Sequence, residues 1–345
     1  MNTYFVPLYF KHALHIGAAN AAIGIEETQD FIHSDTLWAA ICNHWAILGE
    51  VEGISFDTFL KSFTNGNPLF KISSAFPLTK SGSEYWLPKP LSVPYSFTKI
   101  NPNRTIEIEQ YGKTVKKTRF ITLEAFKNWI EFNADNVSDI GEKPKGISSG
   151  AIRPHNTLDR ISMASQLFYS GITYFETHGK DKAGLYFFLK ADEQTKKALE
   201  KIFEIIFETG AIGGNRNIGL GGLSEKPILV GLNQVPPEWN LLNGVPESNA
   251  YCLLSLCCPK PDEPYQTSVA HNLILRKGWT GSLSVGAQVK RQTVSMLSEG
   301  SVFQKELIGK LVDITPQNTP KWEGFHKVYR YGYAFSVPLK LNLED

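Results

Sequence analysis

The sequence predicts an α+β fold of two ferredoxin-like (RRM-like) domains, and three observations carry that prediction. The signals run strand, helix, strand pair, insertion, strand pair, helix, glycine loop, strand. With the insertion set aside, this order approximates a β-α-β-β-α-β unit. A length of 345 residues suggests two domains, at about 100–200 residues each. Further strand signals follow a proline-bearing stretch at 233–249, with a weak case for regular helices. The expected division is 1–240, with an insertion at about 88–145, and a degenerate second domain at 241–345.

Each element has its own signal. Tyr4-Phe5-Val6-Pro7-Leu8-Tyr9-Phe10 is an apolar strand leading into a loop at 12–17. Ser34-Asp35-Thr36 opens a helix, with Ser34 as a good N-cap and Asp35 complementing the helix dipole. Leu37, Ile41, Trp45 and Leu48 recur at helical spacing and predict one buried face. Segments 73–78 and 85–87 read as short strands around a Lys80-Ser81-Gly82-Ser83 turn. From 88 to 145, prolines, glycines and basic residues replace sustained periodicity. Ile106, Ile108, Tyr111 and Val115 suggest at most a ribbon, and the stretch is expected to project from a compact body. Segments 167–176 and 184–190 are strands rich in Tyr, Phe and Ile. Asp192 then caps a helix whose stripe is Leu199, Ile202, Phe203 and Ile206. After the glycine loop comes a strand at 227–232 and a linker at 233–249. The second unit starts at 251–256 and ends at 328–335.

Composition excludes several classes. A hydrophobic fraction of 42% supports buried cores, and no apolar run approaches a membrane span. The N-terminus lacks the basic start and apolar core of a signal peptide. Cys42, Cys252, Cys257 and Cys258 form no C-x-x-C pair and read as reduced core residues of a cytoplasmic protein. Net charge is +1, so no global basic signal exists, although Lys113, Lys116, Lys117 and Arg119 form a local one. His12, His44, His155, His178, His271 and His326 are scattered without carboxylates or cysteines at ligand spacing, so neither a metal nor another cofactor is expected.

The most informative segment is 213–224, where five glycines, two asparagines and one arginine follow an amphipathic helix. Glycine has no side chain to hold a ligand away, so such a loop reads as main-chain N–H groups approaching an anion, most simply a phosphate. Gly213, Gly214, Asn215, Arg216, Gly219, Gly221, Gly222 and Ser224 are the candidates, against a purely structural turn. No Lys-Ser or Lys-Thr follows the glycines, which excludes a P-loop. The helix precedes the loop and a strand follows it, the reverse of a dinucleotide fingerprint.

Several motifs together resemble those of the subunit-four family of the type III-A CRISPR Csm interference complex. They are His33-Ser34-Asp35-Thr36-Leu37, the run from Arg153 through Pro154, His155, Asn156, Thr157, Leu158 and Asp159 to Arg160, and Gly219-Leu220-Gly221-Gly222-Leu223-Ser224. Arg276-Lys277-Gly278-Trp279, Gly300-Ser301-Val302-Phe303 and Val328-Tyr329-Arg330-Tyr331-Gly332 belong to the same set. The resemblance implies two ferredoxin-like domains that hold the 5′ handle of a CRISPR RNA in antiviral defence. It also implies contacts with the large polymerase-bearing subunit and the first backbone subunit, with target RNA nearby and no membrane. Members of the family are generally non-catalytic, so the resemblance implies an RNA-binding ribonucleoprotein subunit and not an enzyme.

On that resemblance the glycine amides, with Arg216, are expected to hold phosphates, and Gly221→Asp with Arg216→Glu to weaken RNA capture while leaving the fold intact. Arg153, His155, Asn156, Thr157 and Arg160 are expected to handle bases or phosphates, the alternative being solvent-exposed loop polarity. His15, His33 and Ser34 join the RNA-binding set, the histidines as hydrogen-bonded residues near RNA or core. A guide-processing endoribonuclease using His15 or His33 as general base is the alternative activity, and a small-molecule enzyme with a phosphate-binding glycine loop is a third reading. Trp86, Trp279 and Trp322 are read as core or interface more readily than as base-stacking platforms.

Overall fold

A computed structural model describes residues 1–17, 27–79, 84–92, 112–131, 147–178, 181–263, 265–280, 289–317, 322 and 325–341. The 80–83 turn and the expected ribbon residues Ile106, Ile108 and Tyr111 lie outside them. The N-terminal part comprises β1 (Asn2–Leu8), α1 (Ser34–Leu48), α2 (Phe56–Thr64), β2 (Phe70–Ile72) and β3 (Phe76–Thr79). It continues with β4 (Trp86–Pro88), β5 (Phe120–Thr122), α3 (Leu123–Ile130), β6 (Ser148–Leu158) and β7 (Ser165–Phe175). Then come β8 (Asp181–Ala191), α4 (Glu193–Glu208) and β9 (Val230–Gly231). The C-terminal part contains β10 (Ala250–Leu253), β11 (Ser268–Ala270), β12 (Leu273–Arg276), β13 (Val294–Leu297), β14 (Val302–Phe303) and β15 (Ser336–Leu339).

The fold is mixed α/β. Its main sheet runs β9, β1, β8, then β2 and β3, which pair with successive halves of β8, all antiparallel. Alternation along β1 assigns its two faces. Tyr4, Val6 and Leu8 face a core shared with α1 and α4, where Leu37, Ile41, Trp45, Leu199, Ile202 and Ile206 are buried. Phe5 points the other way, stacking on Tyr186 at 5.1 Å within a second core that includes Trp239, Phe335 and Val337. Helices α1 and α4 therefore cover one face of the sheet, and much of the C-terminal part packs over the other. There β10 pairs with β14 and β15, and no α-helix occurs among the described residues after Glu208.

Four expectations change. Ser34 does not cap α1: His33 occupies the N-cap position and makes no side-chain cap bond. The Ser34 hydroxyl instead accepts the Leu256 amide at 3.1 Å, because the C-terminal part packs over this helix end. Leu48 is exposed at the last turn, outside the buried stripe. Within the supposed insertion, β5 pairs with β4, and α3, capped by Thr122, buries Phe126, Trp129 and Ile130 in the second core. The stretch at 233–249 is no loose linker either, since Trp239, Leu241 and Leu242 are buried there. Asp192, by contrast, caps α4 as expected, its carboxylate accepting the Thr195 amide at 2.8 Å.

Candidate RNA interface

The glycine loop begins where α4 ends and closes back onto the loop after β1. Gly213, Gly219 and Gly221 have positive φ, and Asn215 is left-handed ahead of a single 3-10 turn, Arg216–Ile218. At Gly221 the requirement for glycine is steric as well as conformational. A Cβ there would sit 1.9 Å from the Ile212 carbonyl oxygen, at φ +76°. Gly221→Asp therefore disrupts the loop and cannot leave the fold intact. Gly222 differs: nothing lies within 4 Å of a Cβ built on it.

Most of the loop's hydrogen bonding is internal. The amides of Gly214, Gly219 and Gly221 donate to His15 O (2.8 Å), Arg216 O (3.1 Å) and Ala13 O (3.0 Å). Gly219 and Gly221 thus do not offer their N–H groups to a phosphate. Among the loop's side chains, Arg216, Asn217 and Ile218 are exposed. Ser224 closes the loop by donating its amide to Tyr9 O at 2.8 Å, while its buried hydroxyl lacks a protein partner. It borders a cavity of about 280 Å³ shared with Lys11, His12 and Lys182, two cations that sequence reasoning missed.

His15 is a strut under the loop. It is 8% exposed, and its Nδ1–H donates to Gly171 O of β7 at 2.6 Å. Gly214 passes so close that a Cβ there would lie 2.7 Å from the imidazole Cδ2. Ala13, Leu220 and Ile172 of β7 make a small apolar joint beside it. The loop is thereby locked to the base of the β6–β7 hairpin.

That hairpin projects. Its strands pair over eleven positions, and Arg153, Asn156, Thr157 and Arg160 are exposed. Arg153, His155 and Thr157 alternate onto the face that Ile172 shares at the base, through the pairs Ala151–Ile172, Arg153–Ser170 and His155–Phe168. His155 stacks on Phe168 at 5.1 Å, and its Nε2 lies 2.8 Å from Ser170 Oγ. Arg153 donates to Tyr174 Oη on the same face. Asn156 alternates onto the opposite face. The alternative of loop polarity does not describe Arg153 to Leu158, which are strand, their polar residues exposed because the hairpin leaves the body.

His33 and Ser34 belong to a different place. They are 2% and 0% exposed, at the seam between α1 and the C-terminal part. His33 Nδ1 lies 2.7 Å from Glu299 Oε1, and the Ser74 hydroxyl donates to the same carboxylate. Burial pushes the Glu299 carboxyl up, but His33 and Ser74 outweigh it and hold the group below its ordinary value. Next to them, Arg276 holds Asp35 with both carboxylate oxygens, at 2.9 and 2.8 Å, and Arg330 adds a third bond. Burial raises the Asp35 carboxyl, yet the two guanidiniums hold it well below the usual carboxylate range. The seam residues thus serve the protein's own interior, and their separation of 241 positions along the chain concealed it.

Trp86 and Trp322 are buried, whereas Trp279 is 55% exposed. Burial pushes the Cys42 and Cys252 thiols up to about 12, which makes them unreactive. Among the described residues, no group of His, Cys, Asp or Glu gathers as a metal site, and no helix is long and apolar enough to cross a membrane.

Residues 8–224, from the end of the first strand through the glycine loop, match the RAMP superfamily, so the chain belongs to that superfamily. Residues 246–339 match the CRISPR Csm4 C-terminal domain. Two curated relatives, each described as CRISPR system Cms protein Csm4, are similar over nearly the whole chain. The one from Thermococcus onnurineus is 26% identical over 320 residues, covering 91% of this chain and 93% of the relative. The one from Methanocaldococcus jannaschii is 23% identical over 373 residues, covering 91% and 92%. Among solved structures, a chain of the Csm3–Csm4 subcomplex of the type III-A CRISPR-Cas interference complex superposes with a TM-score of 0.60 at 17% identity, covering 99% of this chain and 100% of that one. A chain of a Csm1–Csm4 cassette in complex with cA3 gives 0.57 at 18%, covering 99% of both.

Proposed function

We propose that this chain is a non-catalytic subunit of a type III-A CRISPR effector complex that binds the 5′ handle of the CRISPR RNA. In the same reading it bridges the large polymerase-bearing subunit to the first backbone subunit, close to target RNA, in the cytoplasm. The observation that carries the RNA part is the continuity of one face. The Arg216 turn, fixed on His15, and the hairpin face bearing Arg153, His155 and Thr157 meet at the Leu220–Ile172 joint. Phosphates need cations in register, and unstacked bases need aromatic and polar edges. Arg216 and Arg160 make no ion pair with any described residue, so their charge is available. The hairpin tip, with Ile161 and Met163 at 95% and 76% exposure, suits a protein or duplex neighbour.

The sheet order β9-β1-β8-β2/β3, with α1 and α4 on one face, supports a ferredoxin-like first domain over 1–240. The four-stranded C-terminal sheet supports a degenerate counterpart over 241–345. Burial of His15 and His33 against Gly171 and Glu299 supports binding without cleavage, since a general base must reach the 2′-hydroxyl. The test is affinity of the full chain for single-stranded repeat RNA at several salt concentrations. Arg216→Glu combined with Arg153→Glu should weaken binding at least about tenfold and flatten the salt dependence, by about 0.7 for each phosphate no longer neutralised. Unchanged affinity and slope would refute the reading. Cleavage of the RNA that His15→Ala abolishes would revive the nuclease alternative.

A further inference from the structure

One group of charges is unbalanced. Arg276, Arg291 and Arg330 gather around Asp35, which is the one carboxylate facing them among the described residues. Arg276 and Arg330 divide Asp35 between them. Arg330 is 4% exposed and also donates to Lys277 O at 3.3 Å, yet its Nε has no partner. Arg291 is partly buried, its Nε is likewise unpartnered, and its side chain makes no ion pair or hydrogen bond to any described residue. Three guanidiniums against one carboxylate leave two positive charges without a counter-ion among the described residues. Burial and the neighbouring Arg330 push the Arg291 guanidinium down to about 10.

The surrounding backbone is shaped to keep Arg291 there. Its amide donates to Gly278 O at 2.9 Å, and a Cβ on Gly278 would lie 2.4 Å from its Nη2. The next residue, Trp279, bridges to Lys290, whose ammonium lies 5.5 Å from the indole centroid. Lys277, Trp279 and Lys290 are exposed. Cations flank an aromatic face that is open to solvent.

The geometry points to a second nucleotide subsite, in which Arg291, backed by Arg330 and Arg276, takes one phosphate of single-stranded RNA and Trp279 stacks the adjoining base. This rests on the RNA-binding reading above and extends the RNA path onto the C-terminal part. A phosphate supplies the missing negative charge, with two non-bridging oxygens for a guanidinium fork. An exposed indole stacks any base.

The full chain, a 5′-labelled single-stranded RNA of the host repeat, and the variants Arg291→Gln, Trp279→Ala and Arg216→Glu decide it. Arg291→Gln should lower affinity about tenfold and reduce the salt slope by about 0.7, the value for one phosphate. Because it removes an unmatched charge, it should leave the unliganded melting temperature unchanged or higher. Trp279→Ala should lower affinity about tenfold without changing the slope. If Arg216→Glu weakens binding and Arg291→Gln does not, the subsite is wrong and the glycine-loop reading stands. If Arg291→Gln lowers the unliganded melting temperature by several degrees, Arg291 is structural and the subsite is wrong. Intact RNA affinity with loss of a co-purifying protein would assign the cluster to an acidic protein surface and overturn the proposal. If the wild-type chain binds no RNA, both readings fall.

Discussion

The glycine loop and the seam at the foot of α1 use polar residues in opposite ways. In the loop, the amides of Gly214, Gly219 and Gly221 are bonded within the protein and the charge of Arg216 stands outside. In the seam, the charges of Asp35, Arg276 and Arg330 are enclosed and bind each other. A solvated arginine can exchange water for a ligand at little cost. A buried carboxylate between two guanidiniums cannot be released, because each ion left alone would carry its full desolvation penalty. Proximity to a motif therefore does not make a residue a ligand contact; exposure and unspent hydrogen-bonding capacity do.

The largest test of this contrast is Asp35→Asn, which leaves buried guanidiniums without their counter-charge and should cost about 3–5 kcal/mol in denaturant unfolding. A loss under about 1 kcal/mol would break the comparison. The same group gives an acid signature. Its folded carboxyl titrates below the unfolded value of about 3.9. Its stabilisation is therefore complete at neutral pH and is lost as pH falls below about 4 towards the folded value. Asp35→Asn should flatten the acid limb of the stability profile measured between pH 7 and pH 2.

Next comes Gly221→Ala, where positive φ and the Ile212 carbonyl both oppose a Cβ; a loss of about 2–4 kcal/mol is expected. Gly222→Ala, one position on, should stay within about 0.5 kcal/mol. Equal effects in thermal unfolding would show that the loop is not clamped through Ile212. Two serine and aspartate positions then sharpen the difference between seam and surface. Ser34→Ala strands the buried Leu256 amide and should cost about 1–3 kcal/mol. Asp192→Ala removes an ordinary N-cap bond from α4 and should cost about 1 kcal/mol. If the order of those two reverses, Ser34 is not holding the two parts together.

Some of this was legible in the residues. The apolar run of β1, the Asp192 cap and the Leu199–Ile202–Phe203–Ile206 stripe of α4 are local signals, and the structure follows them. The glycine density at 213–224 pointed to a special loop, but which amides are free depends on Ala13 and His15, two hundred positions away. The hairpin was half missed. Residues 148–158 carry no apolar alternation, since neither face of that strand meets a core, so the motif from Arg153 to Arg160 gives no strand signal. In α3, proline and glycine in the flanking sequence masked a short buried helix whose packing on Trp86 and Leu87 comes from the β4–β5 pair.

What the chain determined by itself is its periodicity, its caps, its backbone freedoms and its resemblance to a family, because these depend on residues a few positions apart. Tertiary structure alone decided which charges face water. Asp35 meets Arg276 and Arg330, and His15 meets Gly171, only after the sheet has closed. The free energy of a polar group is set by the neighbours that replace its water, and those neighbours come from the far end of the chain.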